Sequence, residues 1–188
     1  MKSLNIKNKS VSSVSDDKKS FDATGPVISV SSKKDNVSLL VLDQIEDPQN
    51  FGQIIRTAEC AGLDGIIFPQ HNSVPITQTV IQVSQGAFVN MPLYQITNLS
   101  QSLIDLKENE FWIVGLENSI NAKQWHEIDY SGKIIIVVGS EGKGLRKKTM
   151  KKCDFQATIP MKGSINSLNV SAAVSAILFE RQRQLNKD

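Results

Sequence analysis

Three segments of the sequence combine polar side chains with glycines that let a ligand approach the backbone closely. The first, residues 50–56, begins with an asparagine and ends with an arginine. The second, residues 139–145, reads Gly-Ser-Glu-Gly-Lys-Gly-Leu and contains the carboxylate of Glu141. The third, residues 159–170, is long and offers hydroxyl, amide and backbone groups together. Groups of these types can orient a polar ligand and stabilise charge that develops during a reaction.

Each segment also has a purely structural interpretation. Arg56 can pair with Glu59 at i+3 as a surface ion pair worth about 0.2–0.5 kcal/mol. Residues 139–145 can be a simple strand-to-helix turn. Asn169 can be the N-cap of a last helix, with Ser167 beside it bonding free backbone amides. These alternatives stay open when each segment is taken alone.

The glycine-rich segment 139–145 does not match the common phosphate-binding loops. No Gly-Lys-Ser/Thr closes it as in a P-loop, and it lacks the Gly-x-Gly-x-x-Gly fingerprint of dinucleotide-binding folds. This argues against an ordinary ATP- or dinucleotide-binding enzyme.

The metal-binding residue types are few and scattered. Cys60 and Cys153 are far apart, and His71 and His126 are the only histidines. No pair has the spacing of a zinc site. The sequence therefore predicts no metal site, and two reduced thiols near packed structure.

Apolar runs and helical periodicity predict the elements that must position the three segments. The predicted strands are residues 38–42, 65–68, 92–96, 111–116, 133–138 and 157–161. The predicted helices are residues 51–61, 77–84, 99–108, 145–152 and a long one from 170 onward. Alternating strands and helices predict an α/β domain with a mostly parallel sheet and helices on both faces.

Polar segments follow three of the predicted strands, at residues 43–56, 139–146 and 160–169. In sheets of this kind, ligands bind at the carboxyl ends of the strands. We therefore expect the three segments to meet at one site for a small molecule or nucleotide.

The first 36 residues differ from the rest in composition. Residues 1–36 carry nine Ser, seven Lys and four Asp, hence a net charge of +3, and the remainder carries 14 basic and 15 acidic residues, hence −1. We predict an extension over residues 1–36 that is disordered or only loosely attached, and one domain over residues 37–188. Because that domain is not basic overall, a nucleic acid would have to bind a local patch.

The densest group of basic side chains directly follows the Glu141 loop. We predict that it contacts RNA phosphates through Lys143, Arg146, Lys147, Lys148 and Lys151. The alternative is a solvated helix whose like charges repel mildly at i, i+4.

Together, the three segments resemble the three motifs of the SpoU (TrmH-like) family of the SPOUT methyltransferase superfamily. The sequence reads Asn-x-Gly-x-x-x-Arg-x-Ala from residue 50, Gly-x-Glu-x-x-Gly from residue 139, and Ile-Pro-Met-x-Gly-x-x-x-Ser-Leu-Asn-Val-Ser from residue 159. The resemblance covers residues 38–184. It is strongest, over residues 139–182, to the bacterial enzymes that methylate a guanosine ribose in large-subunit rRNA.

The resemblance implies a trefoil knot in the C-terminal half, a homodimer, and metal-free transfer of a methyl group from S-adenosylmethionine to an RNA ribose 2′-hydroxyl. The implied functional side chains are Asn50, Arg56, Glu141, Ser167 and Asn169. The loops implied to hold S-adenosylmethionine, largely through backbone groups, contain Val138, Gly139, Ser140, Gly142, Ile159, Pro160, Met161, Ser167, Leu168 and Asn169.

The family proposal assigns the general base to the arginine that corresponds to Arg56, assisted by a substrate phosphate. A guanidinium keeps its proton up to about pH 12 or higher, which makes it a poor free base. We expect Arg56 to hold the phosphate and to stabilise the developing alkoxide, while the proton leaves late or through water.

Two departures from the family bear on the substrate and on packing. Many ribosomal relatives carry an N-terminal RNA-binding domain, whereas residues 1–36 are Lys- and Ser-rich; Ala172 also replaces a larger aliphatic residue, which affects packing only. We expect rRNA as the substrate, with methylation of tRNA or an inactive knotted RNA-binding module as alternatives.

The N-terminus lacks the apolar stretch of a secretory signal, so the expected location is the cytoplasm.

Overall fold

The structure is a computed structural model that describes residues 34–119 and 122–186. Its strands are β1 (Val37–Asp43), β2 (Gly65–Pro69), β3 (Leu93–Ile96), β4 (Trp112–Leu116), β5 (Lys123–Gln124), β6 (Lys133–Gly139) and β7 (Phe155–Thr158). Its helices are α1 (Pro48–Cys60), α2 (Gln78–Val83), α3 (Leu99–Glu108), α4 (Lys147–Met150) and α5 (Val170–Leu185), with 3-10 turns at Ala87–Val89 and Trp125–Glu127.

The strands form one sheet in the order β3-β2-β1-β6-β4-β7-β5, and every pair in it is parallel. β6 lies in the middle, paired along its length with β1 and along most of it with β4. Because the strands are parallel, β1, β4, β6 and β7 all end at the same edge of the sheet. We call this the carboxyl edge, and the opposite one the amino edge.

Both faces of the sheet are buried, because side chains alternate along each strand. Leu40 of β1 lies in the core that also contains Val174 of α5, whereas its neighbour Val41 lies in the core that contains Leu103 of α3. Burial on both faces explains why these strands are continuous apolar runs in the sequence. The predicted α/β class with helices on both faces is confirmed.

The edge of the sheet at β7 and β5 differs from the prediction. β7 starts and ends earlier than the predicted strand at residues 157–161, which included Pro160, a residue without a backbone N–H to pair. β5 was missed because it is two exposed residues long and carries no apolar run.

Helix α4 is shorter than the predicted helix at residues 145–152. Arg146 precedes it with extended backbone angles (φ −61°, ψ 141°). At its other end, the N–H of Lys152 bonds to the carbonyl of Thr149 at 2.9 Å, which tightens the chain into a turn.

Residues 1–33, 120–121 and 187–188 lie outside the described part of the chain, so the predicted disorder of the extension stays a prediction. Where the description begins, the chain is attached to the domain: Lys34 Nζ lies 2.6 Å from Asp64 Oδ1, and Gly132 N donates to Asn36 Oδ1 at 2.7 Å. None of the helices in the described part is long and apolar enough to span a bilayer.

Candidate functional site at the carboxyl edge

Helix α1 holds Asn50 in its first turn, next to the carboxyl edge. Pro48 occupies the first helical position, where its fixed φ is favourable, and Asp47 caps the helix by accepting from the N–H groups of Gln49 (3.0 Å) and Asn50 (3.3 Å). Asn50 is only 6% exposed, so its amide needs partners within the protein.

The loop after β6 folds back on itself. A Cβ at Gly139 would lie 2.1 Å from the carbonyl oxygen of Gly144, so no other residue fits there, and Gly144 N donates to Ser140 O at 2.9 Å. Gly142 and Gly144 have φ values of 77° and 63°, in the left-handed region that favours glycine. This tight turn projects Glu141 from the end of β6.

Asn169 caps helix α5, as the structural interpretation predicted. Its Oδ1 accepts from Ser171 N at 2.9 Å and from Ser171 Oγ at 2.6 Å. Its Nδ2 points the other way and donates to Asn50 Oδ1 at 2.9 Å and to Glu141 Oε1 at 2.5 Å. The residue therefore serves both as a cap and as a link between the three predicted segments.

Asn50, Glu141 and Asn169 form one hydrogen-bonded group, the polar cluster. Asn50 Nδ2 also donates to Glu141 Oε1 at 3.3 Å, and the backbone N–H of Val170 reaches the same oxygen at 3.3 Å. One carboxylate oxygen thus receives three N–H groups, and charge-assisted bonds of this kind are stronger than neutral ones. Side chains far apart in the sequence are held in fixed positions at the carboxyl edge.

A cavity of about 680 Å³ opens beside the polar cluster, a size typical of small-molecule sites. The residues predicted to bind the cofactor line it, with the exception of Pro160: Val138, Gly139, Ser140, Gly142, Ile159, Met161, Ser167, Leu168 and Asn169. Its lining also includes residues that the sequence analysis did not single out: Leu116, Glu117, Asn118, Thr158, Asn166, Val170 and Ala173. We call it the larger carboxyl-edge cavity.

A second cavity, of about 210 Å³, lies on the other side of the polar cluster. Its lining comprises Gln44, Ile45, Glu46, Asp47, Asn50, Ser140, Glu141, Lys143 and Val170. Ser140, Glu141 and Val170 line both cavities. The polar cluster is therefore part of a wall that two adjoining cavities share.

Arg56 is not part of the polar cluster. It is exposed on the outer face of α1, and the rise of a helix places it about 9 Å along the axis from Asn50. Among the ion pairs of the described residues, none joins Arg56 to Glu59. Ser167 is exposed as well and lines the larger carboxyl-edge cavity.

Glu117, at the end of β4, supports the Glu141 loop from the opposite side. Its Oε2 accepts from Leu145 N at 3.1 Å, and a Cβ at Gly144 would lie 2.7 Å from the same oxygen. Glu117 directly follows the predicted strand at residues 111–116, as the three polar segments follow their strands, but it was not among the predicted site residues.

Asp43, at the end of β1, is fully buried and ties α4 to the sheet. Its Oδ2 accepts from Thr149 Oγ1 at 2.7 Å, and its Oδ1 lies 2.6 Å from Arg146 Nη2, an ion pair outside hydrogen-bond geometry. Arg146, predicted to contact RNA, is thus engaged by the protein, although its side chain remains 40% exposed.

The other cations predicted to contact RNA are solvent-exposed beside the Glu141 loop: Lys143, Lys147, Lys148 and Lys151. Lys143 also lines the smaller carboxyl-edge cavity. The structure therefore places Lys143 at a cavity that the polar cluster also lines, and leaves all four cations of the basic run accessible to a ligand.

Both cysteines are free thiols. Cys60 is exposed at the end of α1. Burial, with a smaller effect from the nearby Asp154 carboxylate, raises the pKa of Cys153 to about 12.

Within residues 34–119 and 122–186, no group of three or more His, Cys, Asp and Glu side chains is arranged to hold a metal ion.

The model of the SpoU rRNA methylase family matches residues 38–179 of the chain. The chain belongs to the SpoU rRNA methylase family. A Staphylococcus saprophyticus protein classed as a TrmH family tRNA/rRNA methyltransferase is 44% identical over 149 residues, which cover 79% of this chain and 59% of that protein. The chain thus spans less than two thirds of the length of this relative.

Solved SpoU-family structures share the fold. The A. aeolicus TrmH/SpoU tRNA modifying enzyme superposes with a TM-score of 0.74 at 28% identity, over 86% of this chain and 81% of that one. An AdoMet-bound rRNA methyltransferase of Sinorhizobium meliloti gives 0.74 at 27% identity, over 81% and 58%. The SpoU methyltransferase AviRb of Streptomyces viridochromogenes, in complex with AdoMet, gives 0.76 at 24% identity, over 82% and 60%, a likeness of fold.

Proposed function

We propose that this SpoU-family chain transfers the methyl group of S-adenosylmethionine to the 2′-hydroxyl of an RNA ribose. The observation that carries the proposal is the shared wall between the two carboxyl-edge cavities, which contains the polar cluster. A methyl donor in the larger cavity and a ribose in the smaller one would meet there. Holding two reactants at such a contact can supply a large part of a rate enhancement.

The larger carboxyl-edge cavity suits S-adenosylmethionine in size and chemistry. Leu116, Val138 and Leu168 offer apolar surface for an adenine ring, and the carboxylates of Glu117 and Glu141 suit the positive charges of a sulfonium and an amine. Two of the structural neighbours were crystallised with AdoMet. When bound, this cofactor supplies an already activated methyl group.

The residues of the chain then have to orient the hydroxyl and stabilise its loss of a proton. Asn50 and Asn169 fix the carboxylate of Glu141 at the shared wall. We assign the Arg56 guanidinium to a substrate phosphate and to the developing alkoxide, with the proton of the hydroxyl leaving late or through water.

Arg56 can reach a ribose at the shared wall in two ways. Either the RNA passes over the outer face of α1, or a second copy of the chain brings its own Arg56 to the cavity. The second arrangement fits the expected homodimer. Exposed apolar surface near the outer face of α1 supports this second arrangement. Phe179 of α5 is 51% exposed, and α5 lies against α1, where Ser171 Oγ is 2.8 Å from Gln53 Oε1.

We also propose that the loops around the larger carboxyl-edge cavity form a trefoil knot. As the substrate we propose rRNA, with a guanosine of the large subunit as the target. The family model is that of rRNA methylases, which supports the rRNA assignment. A tRNA is the second candidate, because the A. aeolicus neighbour is a tRNA modifying enzyme. The exposed basic run beside the Glu141 loop would contact the phosphates of either RNA.

The primary experiment has two parts. Calorimetry with S-adenosylmethionine, ATP and NAD should show binding of the first alone. Incubation with rRNA and tRNA, followed by digestion and mass spectrometry of nucleosides, should yield a 2′-O-methylated nucleoside. Base-methylated nucleosides alone would contradict the ribose assignment, and cofactor binding without any product would support the inactive module.

Mixing two impaired variants distinguishes the two ways in which Arg56 can act. Both variants are expected to transfer the methyl group slowly, Arg56→Ala at no more than about a hundredth and Asn169→Ala at about a tenth of the wild-type rate. If Arg56 acts on the site of the second copy, an equimolar mixture of re-equilibrated dimers should regain about a quarter of the wild-type rate, because half the dimers are hybrids with one intact site each. No recovery in exchanged dimers would place Arg56 and the cluster of the same chain at one site.

A further inference from the structure

The amino edge of the sheet carries a cavity of about 910 Å³, larger than either cavity at the carboxyl edge. It extends from Lys34 and Asp35, which precede β1, past the first residues of β6, β4 and β7 to Lys123 of β5. The proposed methyl transfer leaves it unused. We call it the amino-edge cavity.

An exposed aromatic surface forms part of this cavity. Trp112, the first residue of β4, is 56% exposed, and its ring lies 5.7 Å from the ring of Phe155. Lys123 Nζ lies 5.4 Å from the centre of the Phe155 ring. A large aromatic side chain left in solvent beside a cavity marks a surface suited to binding an apolar group.

The charges around the cavity argue against nucleic acid as the occupant. Three lysines and four carboxylates line it: Lys34, Lys123, Lys133, Asp35, Glu110, Glu127 and Asp129. Lys133 Nζ is already paired with Glu110 Oε2 at 3.3 Å, and Lys34 Nζ with Asp64. An RNA site needs an excess of free cations, whereas this lining is slightly acidic and suits a neutral or weakly basic peptide.

The chain itself enters the described structure at this cavity. Lys34 and Asp35 line it, and the contacts of Lys34 with Asp64 and of Asn36 with Gly132 hold the chain at the amino end of β1. Residues just before Lys34 are therefore tethered at the rim of the cavity, where their effective concentration is high.

The sequence before Lys34 contains an apolar stretch at a suitable distance. Residues 27–30 read Val-Ile-Ser-Val, four to seven positions before Lys34, and an extended chain covers about 3.3 Å per residue, so they can reach about 13 to 23 Å. Trp112 on β4 and Phe155 on β7 lie two and three strand spacings from β1, about 10 and 14 Å. The tether is thus long enough to place Val30 and Ile28 over the two rings.

We propose that residues 27–30 dock into the amino-edge cavity and cover Trp112, so that this part of the chain is a bound arm of the domain. The segment is short, apolar and tethered, and the cavity presents the exposed aromatic surface that it would bury. The proposal does not depend on the methyltransferase function, because the cavity lies on the edge of the sheet opposite the polar cluster.

The test uses the full chain with Trp125→Phe, which leaves Trp112 as the single tryptophan. Ile28→Ser with Val30→Ser should increase acrylamide quenching of Trp112 and shift its emission to the red. Val11→Ser with Val14→Ser is the matched control, since it also replaces two β-branched apolar residues by serine in the N-terminal extension but outside the docking segment. Its quenching and emission should equal those of the parent.

Hydrogen exchange gives an independent measurement with the wild-type chain. The amides of residues 27–31 should be protected, and Trp112→Ala should reduce that protection by about tenfold or more, the scale expected when the segment no longer has the indole ring to bury. Because Trp112 is already largely exposed, this variant is expected to fold.

Three results would overturn the proposal. Unchanged quenching in the Ile28→Ser, Val30→Ser chain would show that the segment does not cover Trp112. Quenching that depends on protein concentration would assign the surface to a second copy of the chain. Quenching that changes only when an RNA oligonucleotide is added would assign it to nucleic acid.

Discussion

The two edges of the sheet carry cavities of different character. At the carboxyl edge, Asn50, Glu141 and Asn169 converge from three distant segments and bond to one another beside a cavity of about 680 Å³. At the amino edge, the cavity is larger, but its charged groups pair locally, as Lys133 does with Glu110. Size alone therefore does not single out the candidate site. The convergence of ordered polar side chains favours the carboxyl edge, because ordering them costs conformational entropy and local folding does not require it.

The parallel sheet accounts for the difference. Strands that run in one direction all deliver their following loops to the carboxyl edge, and those loops lead into the first turns of helices. The loops after β1 and β6 supply capped helix starts and glycine turns there. The amino edge receives the chain as it enters each strand. A change at one edge can therefore be compared with a matched change at the other edge or elsewhere in the domain.

The largest expected effect is that of Arg56→Ala. Methyl transfer should fall at least about 100-fold, the scale of losing one electrostatic catalytic group. Affinity for S-adenosylmethionine should stay nearly unchanged, because Arg56 does not line the larger carboxyl-edge cavity. Single-turnover transfer and calorimetry measure the two quantities. Lys123→Ala, which removes an exposed cation at the amino edge, is the control; retention of most activity by Arg56→Ala would move the catalytic centre elsewhere.

Asn169→Ala should weaken both cofactor binding and transfer, by about tenfold each for the loss of hydrogen bonds to a charged group. It should also cost about 1 kcal/mol of stability, because α5 loses its N-cap. Asn98→Ala is the matched control: Asn98 caps α3 by accepting from Gln101 N at 3.1 Å and lies outside the polar cluster. Urea unfolding should give similar losses for both variants. Equal cofactor affinity in the two variants would contradict a role of Asn169 beyond capping.

Replacing Lys147, Lys148 and Lys151 by Gln should weaken RNA binding and leave S-adenosylmethionine binding unchanged. The slope of log affinity against log salt should fall by about 2 to 3, roughly one for each phosphate that the variant no longer neutralises. Lys34, Lys123 and Lys133 at the amino edge, replaced in the same way, form the control with an equal change in charge. If the control set lowers the slope and the test set does not, the RNA contacts the opposite edge of the sheet.

The smallest effect concerns Cys153, whose thiol packs against Gly115 behind the carboxyl-edge loops. Since burial raises the pKa of Cys153 to about 12, the folded state favours the neutral thiol. The resulting contribution of Cys153 to the free energy of unfolding is complete below the pKa of the unfolded thiol, about 8.5. It is lost as the pH rises toward 12.

Iodoacetamide at pH 8 should therefore modify exposed Cys60 and leave Cys153 intact until urea is added. A Cys60→Ser chain isolates the second thiol for mass spectrometry. Rapid labelling of Cys153 without urea would show that the packing of its thiol against Gly115 opens in solution.

Local features of the fold were predictable because their signals lie within a few residues. The apolar run at residues 133–138 became β6, and the helical periodicity at residues 99–108 became α3 with the same limits. Features without such signals were missed. β5 is too short to show periodicity. Glu117 does follow a predicted strand, but its contact with the Glu141 loop joins residues 28 positions apart and has no local signal.

The candidate site was predictable as a set of residues but not as an arrangement. The three motifs placed Asn50, Glu141 and Asn169 at loops after strands, and their mutual hydrogen bonds follow that expectation. Arg56 belongs to the same motif as Asn50 but lies outside the cluster. A helix turns about 100° per residue, so two residues six positions apart need not face the same ligand.

The sequence by itself determined the α/β class, the position of most elements, the family and the residue types available for chemistry, because each depends on periodicity, turn residues or short motifs. Only the tertiary structure decided which of these residues meet. β6 inserts between β1 and β4, an order that local patterns do not encode, and this insertion brings the Glu141 loop against the first turn of α1. The same order lets Asp43 bind Arg146 and leaves Trp112 exposed at the opposite edge. Contacts between segments about 100 residues apart depend on how whole strands pair, which is set by burial over the entire sheet rather than by any one stretch of chain.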